Sequence, residues 1–294
     1  MRNILVITGG AGFIGSNLIS ELLKFTKYKI ISVDDYSSGL SKNHIKNKRV
    51  KYLKGSTKNI ELLLKSYIGK IHSIFHFAEF ARIYQSFKKI NECFTSNIEG
   101  SSNVFNFALK NNIRLIYSAT SASLGNKGKD MNLSPYAFSK AKNLELLENL
   151  KKWFNFRYEV VYFYNVYGEK QICQGDMATV VGIFEDNFKQ KKKLPVVRPG
   201  TQMRRFTHVY DTVKACIFAW RQNKCKHYCI ASKQSYSIIQ LAKLFKNKIK
   251  YLPVRKGERF ASALTKMNLN NKIIRLSAKI KLKDYVNNFL MNNS

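Results

Sequence analysis

The chain predicts an α/β fold: a doubly wound parallel sheet with helices on both faces, followed by a smaller C-terminal lobe. Three observations carry this. Apolar runs of strand length alternate with helix-period segments through the first half of the 294 residues, the pattern of parallel strands joined by crossover helices. A glycine triplet sits where the first strand meets the first helix. Beyond Gly168 the alternation breaks into shorter elements, and Pro195, Pro199 and Pro253 fall there.

Each element has a local reason. "NILVIT" (3–8) is an apolar run of strand length, and "FIGSNLISELLKF" (13–25) spaces its apolar residues as one face of a helix. "KIISVD" (29–34) and "RVKYLKG" (49–55) read as the next strands. "NIELLLKSY" is helical, and "IHSIFHFA" (71–78) is a strand. A long helical stretch ends near "NVFNFALKNN", before strand "IRLIYSA" (113–119). In "SPYAFSKAKNLELLENLKKWF" Ser134 is placed to cap the helix and Pro135 to occupy its first position. "YEVVYFYNV" (158–166) closes the regular part. The expected division is a first domain at 1–168 and a lobe at 169–294, with part of 201–235 packing back onto the first domain. No internal repeat or low-complexity linker interrupts the chain.

Composition narrows the class. A hydrophobic content of 45% is that of a globular protein. Lys+Arg 51 against Asp+Glu 18 gives a net charge of +33, which attracts polyanions and steers anionic ligands. Weak, non-specific polyanion binding is therefore expected. No basic cluster is interleaved with aromatics as in a nucleic-acid module, so surface solvation also accounts for many of the lysines. Five cysteines in a chain of this size suit a reducing compartment. "CKHYC" (Cys225, His227, Cys229) has the look of a metal site but lacks a second ligand pair and alternates as a strand, so no metal is expected. There is no signal-peptide pattern and no apolar run of membrane length, which points to a soluble, cytoplasmic protein.

"TGGAGFIGS" puts Gly9, Gly12 and Gly15 at the strand–helix junction. A dinucleotide needs this arrangement: a tight turn, close backbone approach to the pyrophosphate, and a helix N-terminus with partial positive charge. Asp34, at the end of the second strand and 19 residues beyond Gly15, suits the adenosine ribose hydroxyls and would repel a 2′-phosphate, which selects NAD over NADP.

Together, "TGGAGFIGS", "VDDYSSG", "SPYAFSK" and "FYNVYG" resemble the extended short-chain dehydrogenase/reductases, a Rossmann-type family, and within it the nucleotide-sugar epimerases of the UDP-glucose 4-epimerase type. The resemblance runs from residue 1 to about 262. It implies a nucleotide-diphosphate sugar as substrate, NAD as cofactor, and a homodimer paired through two long helices at about 83–111 and 134–154. Cofactor contacts are implied for Gly9, Gly12, Phe13, Ile14, Gly15, Asp34, Asp35, Ala78, Tyr136 and Lys140. Tyr136 corresponds to the catalytic base and Lys140 to its partner. A phenol ionises near ~10, and Lys140 and the nicotinamide ring would both favour the anion. Thr120 corresponds to the hydroxyl residue that holds the reacting oxygen, with Ser118, Ser121 and Ser123 as competing hydroxyls. Asn165, Arg204 and Arg255 correspond to substrate-binding residues; for both arginines, surface solvation is the alternative in so basic a chain.

The same stretch bears on the reaction. The family's 4,6-dehydratases follow the threonine with Asp-Glu, an additional acid and base. Ser121 and Ala122 stand here and cannot serve, which leaves epimerisation as the simplest chemistry. In the galactose epimerases that the chain resembles, the position seven residues after the phosphate-binding arginine lines the sugar pocket; counted from Arg255 it is Ser262, which leaves room for an N-acetyl group where a tyrosine would clash, and a one-residue slip puts Ala261 or Ala263 there, both small. Four departures from the family stand out: Ser56 in place of the adenine-contacting aspartate, Glu79 near the cofactor in "HFAEF", Glu169 in place of a proline, and a short loop between Gly125 and Tyr136.

The charge makes a testable claim. Nucleic-acid binding followed by fluorescence anisotropy should be weak, indifferent to sequence and lost steeply as salt rises, because it would come from phosphate neutralisation alone. Sequence-selective binding that persists at physiological salt would contradict this.

Overall fold

A computed structural model describes residues 2–124, 132–257 and 273–293. β1 (Ile4–Thr8) is buried along its whole length, and α1 (Phe13–Phe25) follows it after a four-residue turn. β2 (Lys29–Asp34), β3 (Val50–Lys54), the short α2 (Ile60–Leu64) and β4 (Ile71–His76) continue the alternation. The next helical stretch is broken into α3 (Ile83–Lys88), α4 (Ile90–Phe94), a π-helical turn at Thr95–Gly100, and α5 (Ser101–Lys110). It is therefore not the continuous helix that the sequence pattern suggested. At the break Asn97 turns inward: its side chain accepts from the Phe80 N–H at 2.6 Å and donates to the Phe80 carbonyl at 3.0 Å and the Ser139 hydroxyl at 3.0 Å. A wide turn that aims a polar side chain at the core is a common reason for a π-bulge.

β5 (Arg114–Thr120) leads through α6 (Ser121–Leu124) toward α7 (Pro135–Phe154). Ser134 caps α7 by accepting from the Ala137 N–H at 3.1 Å, Pro135 sits in the first turn, and Asn155 ends the helix in the left-handed conformation. Beyond β6 (Tyr158–Phe163) come β7 (Val166–Tyr167), α8 (Val180–Lys189), β8 (Leu194–Val197), β9 (Met203–Arg205), β10 (Thr207–His208), α9 (Val209–Gln222), β11 (His227–Ala231), β12 (Ser235–Ser237), α10 (Ile238–Leu244), β13 (Ile249–Leu252), β14 (Ile273–Ser277) and α11 (Leu282–Met291).

The main sheet is parallel, in the order β14-β11-β6-β5-β4-β1-β2-β3. Its direction of winding reverses between β1 and β4, which opens a crevice at the carboxyl ends of those strands, where ligands bind in doubly wound folds. One face is covered by Val104, Phe105 and Phe107 of α5 and Leu147 of α7. The other is covered by Leu18, Ile19 and Leu22 of α1 and Val213, Cys216 and Trp220 of α9. A third core, with Phe184, Leu194, Val196 and Phe245, belongs to the lobe.

Strands from beyond residue 168 join the main sheet, one of them within the 201–235 segment expected to pack back onto the first domain. β11 pairs with β6, and β14 pairs with β11 from His227↔Ile273 to Ala231↔Ser277. The main sheet thus recruits a strand from near the C-terminus that local periodicity had assigned to the lobe. A strand's partner is chosen by tertiary packing, and sequence spacing does not reveal it. Cys229 and His227 lie in β11, where His227 contacts the Tyr162 hydroxyl at 3.1 Å.

The tightest packing is at the first turn. A Cβ on Gly15 would lie 2.1 Å from the Gly9 carbonyl oxygen, a backbone atom that cannot swing away. Gly15→Ala should therefore destabilise the protein by about 1–3 kcal/mol, read as a lower denaturation midpoint at unchanged slope.

Candidate functional site

The crevice begins at the glycine turn. Gly9 has φ +73°, a left-handed conformation that other residues rarely adopt, and a Cβ there would lie 2.9 Å from the Ala78 nitrogen. Gly12 is the extended residue before α1, so Phe13, Ile14 and Gly15 carry the free N–H groups of the helix N-terminus. Asp34 is buried at the end of β2; its carboxylate accepts from the Ala11 and Tyr36 N–H groups, both at 2.9 Å. Burial pushes its acidity down, and those N–H groups oppose the shift. The bare backbone at Gly9, the helix N-terminus and the carboxylate 23 residues beyond Ala11 fit a dinucleotide: room for pyrophosphate, donors for its oxygens, an acceptor for ribose. Asp35 is turned aside, with its carboxylate on the Ser37 N–H at 2.9 Å and hydroxyl at 2.7 Å. Ser56 caps the short turn at Thr57–Asn59.

Across the crevice, Thr120 ends β5 while Tyr136 and Lys140 lie one turn apart on α7. The Thr120 hydroxyl lies beside the Tyr136 phenol and favours its anion. The Tyr136 N–H donates to the Ser86 hydroxyl of α3 at 3.3 Å. Burial pushes the Tyr136 phenol up to about 12; the Thr120 hydrogen bond and the charge of Arg82 pull it down, and the carboxylate of Glu79 pushes it further up.

Lys140, one turn along α7, is buried. It forms an ion pair with Glu79 in which the two side chains are only 5% and 2% exposed. The ammonium also donates to the Ser118 carbonyl and lies 4.4 Å from the centre of the Tyr117 ring. The other oxygen of Glu79 accepts from Ser101 at 3.0 Å, Tyr117 at 2.9 Å and Asn143 at 3.0 Å. His76 extends the network, touching Ser101 at 2.9 Å and Thr8 at 2.7 Å through its two ring nitrogens.

The other sequence-derived positions surround this centre less tightly. Asn165, exposed and at φ 35°, donates to the Arg205 carbonyl at 2.9 Å. Arg204 lies in β9 opposite Tyr236, and its guanidinium reaches the Met203 carbonyl at 2.9 Å. The Arg255 guanidinium stacks over Tyr84 of α3 at 5.2 Å. Glu169 pairs with His208 at 3.3 Å. Gly125, Ala261, Ser262 and Ala263 lie outside the described residues. Sequence reading singled out Glu79 as unusual but missed its partners Tyr117 and Asn143, and missed Arg82, whose Nε donates to the Met177 carbonyl at 2.9 Å. The one available signal was an acidic residue following a buried strand in "HFAEF".

The sequence profile of the NAD dependent epimerase/dehydratase family matches residues 5–231. The chain belongs to that family. A Methanocaldococcus jannaschii protein provisionally named UDP-glucose 4-epimerase is 25% identical over 258 residues, covering 84% of this chain and 82% of its own length. A UDP-N-acetyl-alpha-D-glucosaminuronate decarboxylase of Bacillus cytotoxicus is 30% identical over 241 residues, covering 74% and 71%. Among solved structures, the UDP-N-acetylglucosamine 4-epimerase of Methanobrevibacter ruminantium, in complex with UDP-N-acetylmuramic acid, superposes with a TM-score of 0.85 at 24% identity, over 98% of this chain and 96% of its own. At that identity the likeness speaks for the fold. The family's cofactor is NAD.

The buried histidine gives a pH prediction. Desolvation lowers His76 from 6.5 to about 4. As pH falls below 6.5 the unfolded chain takes up a proton that the folded chain refuses until about 4, so this contribution is complete above 6.5 and lost on acidification. The loss is roughly 3 kcal/mol. Denaturation at a series of pH values should show this slope, and His76→Gln should flatten it.

Proposed function

We propose that the chain is an NAD-dependent epimerase of a nucleotide-diphosphate sugar, acting at C4 on UDP-glucose or a UDP-N-acetylhexosamine. The observation that supports this reading is Thr120 at the end of β5 beside Tyr136 in the first turn of α7, across from the glycine turn, with no second acid–base pair after Thr120. Ser121 and Ala122 open α6, and the Ala122 N–H is turned back onto the Thr120 hydroxyl at 3.2 Å. NAD, when bound, supplies hydride acceptance and return. Tyr136 takes the proton from the sugar hydroxyl as it is oxidised and gives it back when the ketone, presented by its other face, is reduced. Thr120 holds the oxygen between those events. Asn165, Arg204 and Arg255 hold the substrate, the arginines by bidentate contacts to the diphosphate. Ser262 and its small neighbours favour the N-acetylated sugar. Two copies would pair through α3–α5 and α7, where Ile90 and Phe138 are exposed.

A second reading is a dehydratase, reductase or decarboxylase on the same scaffold, since a decarboxylase is among the relatives. The missing acid–base pair after Thr120 weighs against the dehydratase. A third is a silent NAD-binding or polyanion-binding member, which would have no chemical need of Thr120, Tyr136 and Lys140 together.

Incubation with UDP-, GDP-, ADP- and dTDP-sugars, followed by NMR of the products, separates these outcomes. Epimers without net loss of water or carbon dioxide are expected. Tyr136→Phe should lower turnover by about 10²–10⁴-fold while NAD affinity, measured by calorimetry, stays unchanged. Near-wild-type turnover in that variant would refute the assignment.

A further inference from the structure

The turns that lead into the strands of the main sheet lie along one edge, opposite the crevice. Because the sheet is parallel, its strands start level with one another: Ile4 pairs with Lys29 and Ile71, Ile30 with Val50, Leu115 with Tyr158 and Val160 with His227. Backbone bonds hold the turns in the same line. The Lys29 N–H donates to the Asn3 carbonyl at 3.0 Å, Ile4 to Lys70 at 3.0 Å, Leu115 to Arg157 at 3.1 Å and Val160 to Lys226 at 3.2 Å. Arg2, Lys29, Lys48, Lys70, Arg157 and Lys226 are all exposed along it. No Asp or Glu occurs in the turns at 26–28, 46–49, 68–70, 111–113, 155–157 and 223–226. Acidic residues stand at the opposite end of the same strands, where Asp34 ends β2 and Glu79 follows β4. From β11 to β3 the line crosses adjacent strands, which at ~4.8 Å per strand makes it about 30 Å long.

Apolar side chains project from this edge on both sides of the line. α7 packs on one face of the sheet and α1 on the other, and both helices end here. Trp153 and Phe154, the last residues of α7, are 64% and 60% exposed, and Phe25, the last of α1, is 56% exposed. α9 ends beside Phe25, with the Arg221 guanidinium 6.0 Å from the centre of its ring. Open aromatics flanking a row of cations match a surface that is anionic outside and apolar just beneath. We propose that this edge docks on an anionic lipid bilayer, with the cations on headgroup phosphates and Trp153, Phe154 and Phe25 in the interface. The inference goes beyond the reaction read from the crevice and does not depend on it. Cations and aromatics are spread over a plane and line no groove, which favours a bilayer over a nucleic-acid strand. Among the described residues no helix is long and apolar enough to cross a membrane, so the contact is peripheral. In this orientation the crevice, at the carboxyl ends of the strands, faces water.

The chain has two tryptophans, and Trp220 is buried, so Trp153 reports the contact directly. The full NAD-loaded chain is mixed, at about 0.15 M salt, with vesicles of phosphatidylcholine alone or with phosphatidylglycerol added. Binding is read by co-sedimentation and by tryptophan emission. Partition onto the phosphatidylglycerol vesicles only is expected, with a blue shift that is absent in Trp153→Phe. Lys70→Glu combined with Lys226→Glu should lower the partition coefficient by about tenfold or more, and Trp153→Ala should lower it as well. Lys192→Glu combined with Lys193→Glu, in the lobe after α8, changes the net charge equally and should have little effect. No binding to the phosphatidylglycerol vesicles, an unshifted emission, or an equal loss in the two double variants would overturn the proposal. Tighter binding of a single-stranded RNA oligonucleotide at the same salt, lost in Trp153→Ala, would assign the edge to nucleic acid instead.

Discussion

The ion pair between Glu79 and Lys140 is the contact that ties the site to the fold. Two charges removed from water repay their desolvation only when geometry is good and every remaining lone pair is used. Here Tyr117, Ser101 and Asn143 occupy the second oxygen of Glu79, and the Ser118 carbonyl takes a further proton of Lys140. These partners come from β5, α5 and α7, so the network fixes how three elements meet at the carboxyl end of the sheet. Breaking one side of such a pair costs about 3–5 kcal/mol, because the charge left behind is buried.

That geometry also sets the chemistry available. Tyr136 occupies a half-buried position whose neutral form is favoured by desolvation, with the Thr120 hydroxyl opposing that shift and the Glu79 carboxylate adding to it. The opposite wall has a different requirement. At Gly9 and Gly15 space is the constraint, since any side chain would meet backbone atoms. The crevice between β1 and β4 thus combines a wall shaped by the absence of side chains with a wall shaped by buried charge. The chain as a whole carries a net charge of +33, which favours the approach of anions.

Much of this was legible in the residues. The strand–glycine–helix junction, Asp34 at the end of β2, and the Ser134–Pro135 start of α7 are local features. Each depends on residues within a turn or two of each other, and local physics leaves few alternatives. Hydrophobic periodicity likewise gave α1 its bounds at Phe13 and Phe25. The break at Thr95–Gly100 was not legible, because the pull on Asn97 comes from Phe80 and Ser139, 17 and 42 residues away. The same holds for β14, whose place in the sheet depends on β11.

The sequence by itself determined the α/β class, the glycine turn with Asp34 at the end of β2, and the capped start of α7, because glycine conformation, helix capping and strand periodicity act over short range. Only the tertiary structure decided what those residues face. Lys140 lies one turn from Tyr136 on the helix, and the family resemblance makes it the base's partner. In the folded protein its ammonium is paired with Glu79, 61 positions earlier. Proximity along a chain fixes which side chains share a helix, but the sign and strength of a buried field depend on every charge that packing brings near.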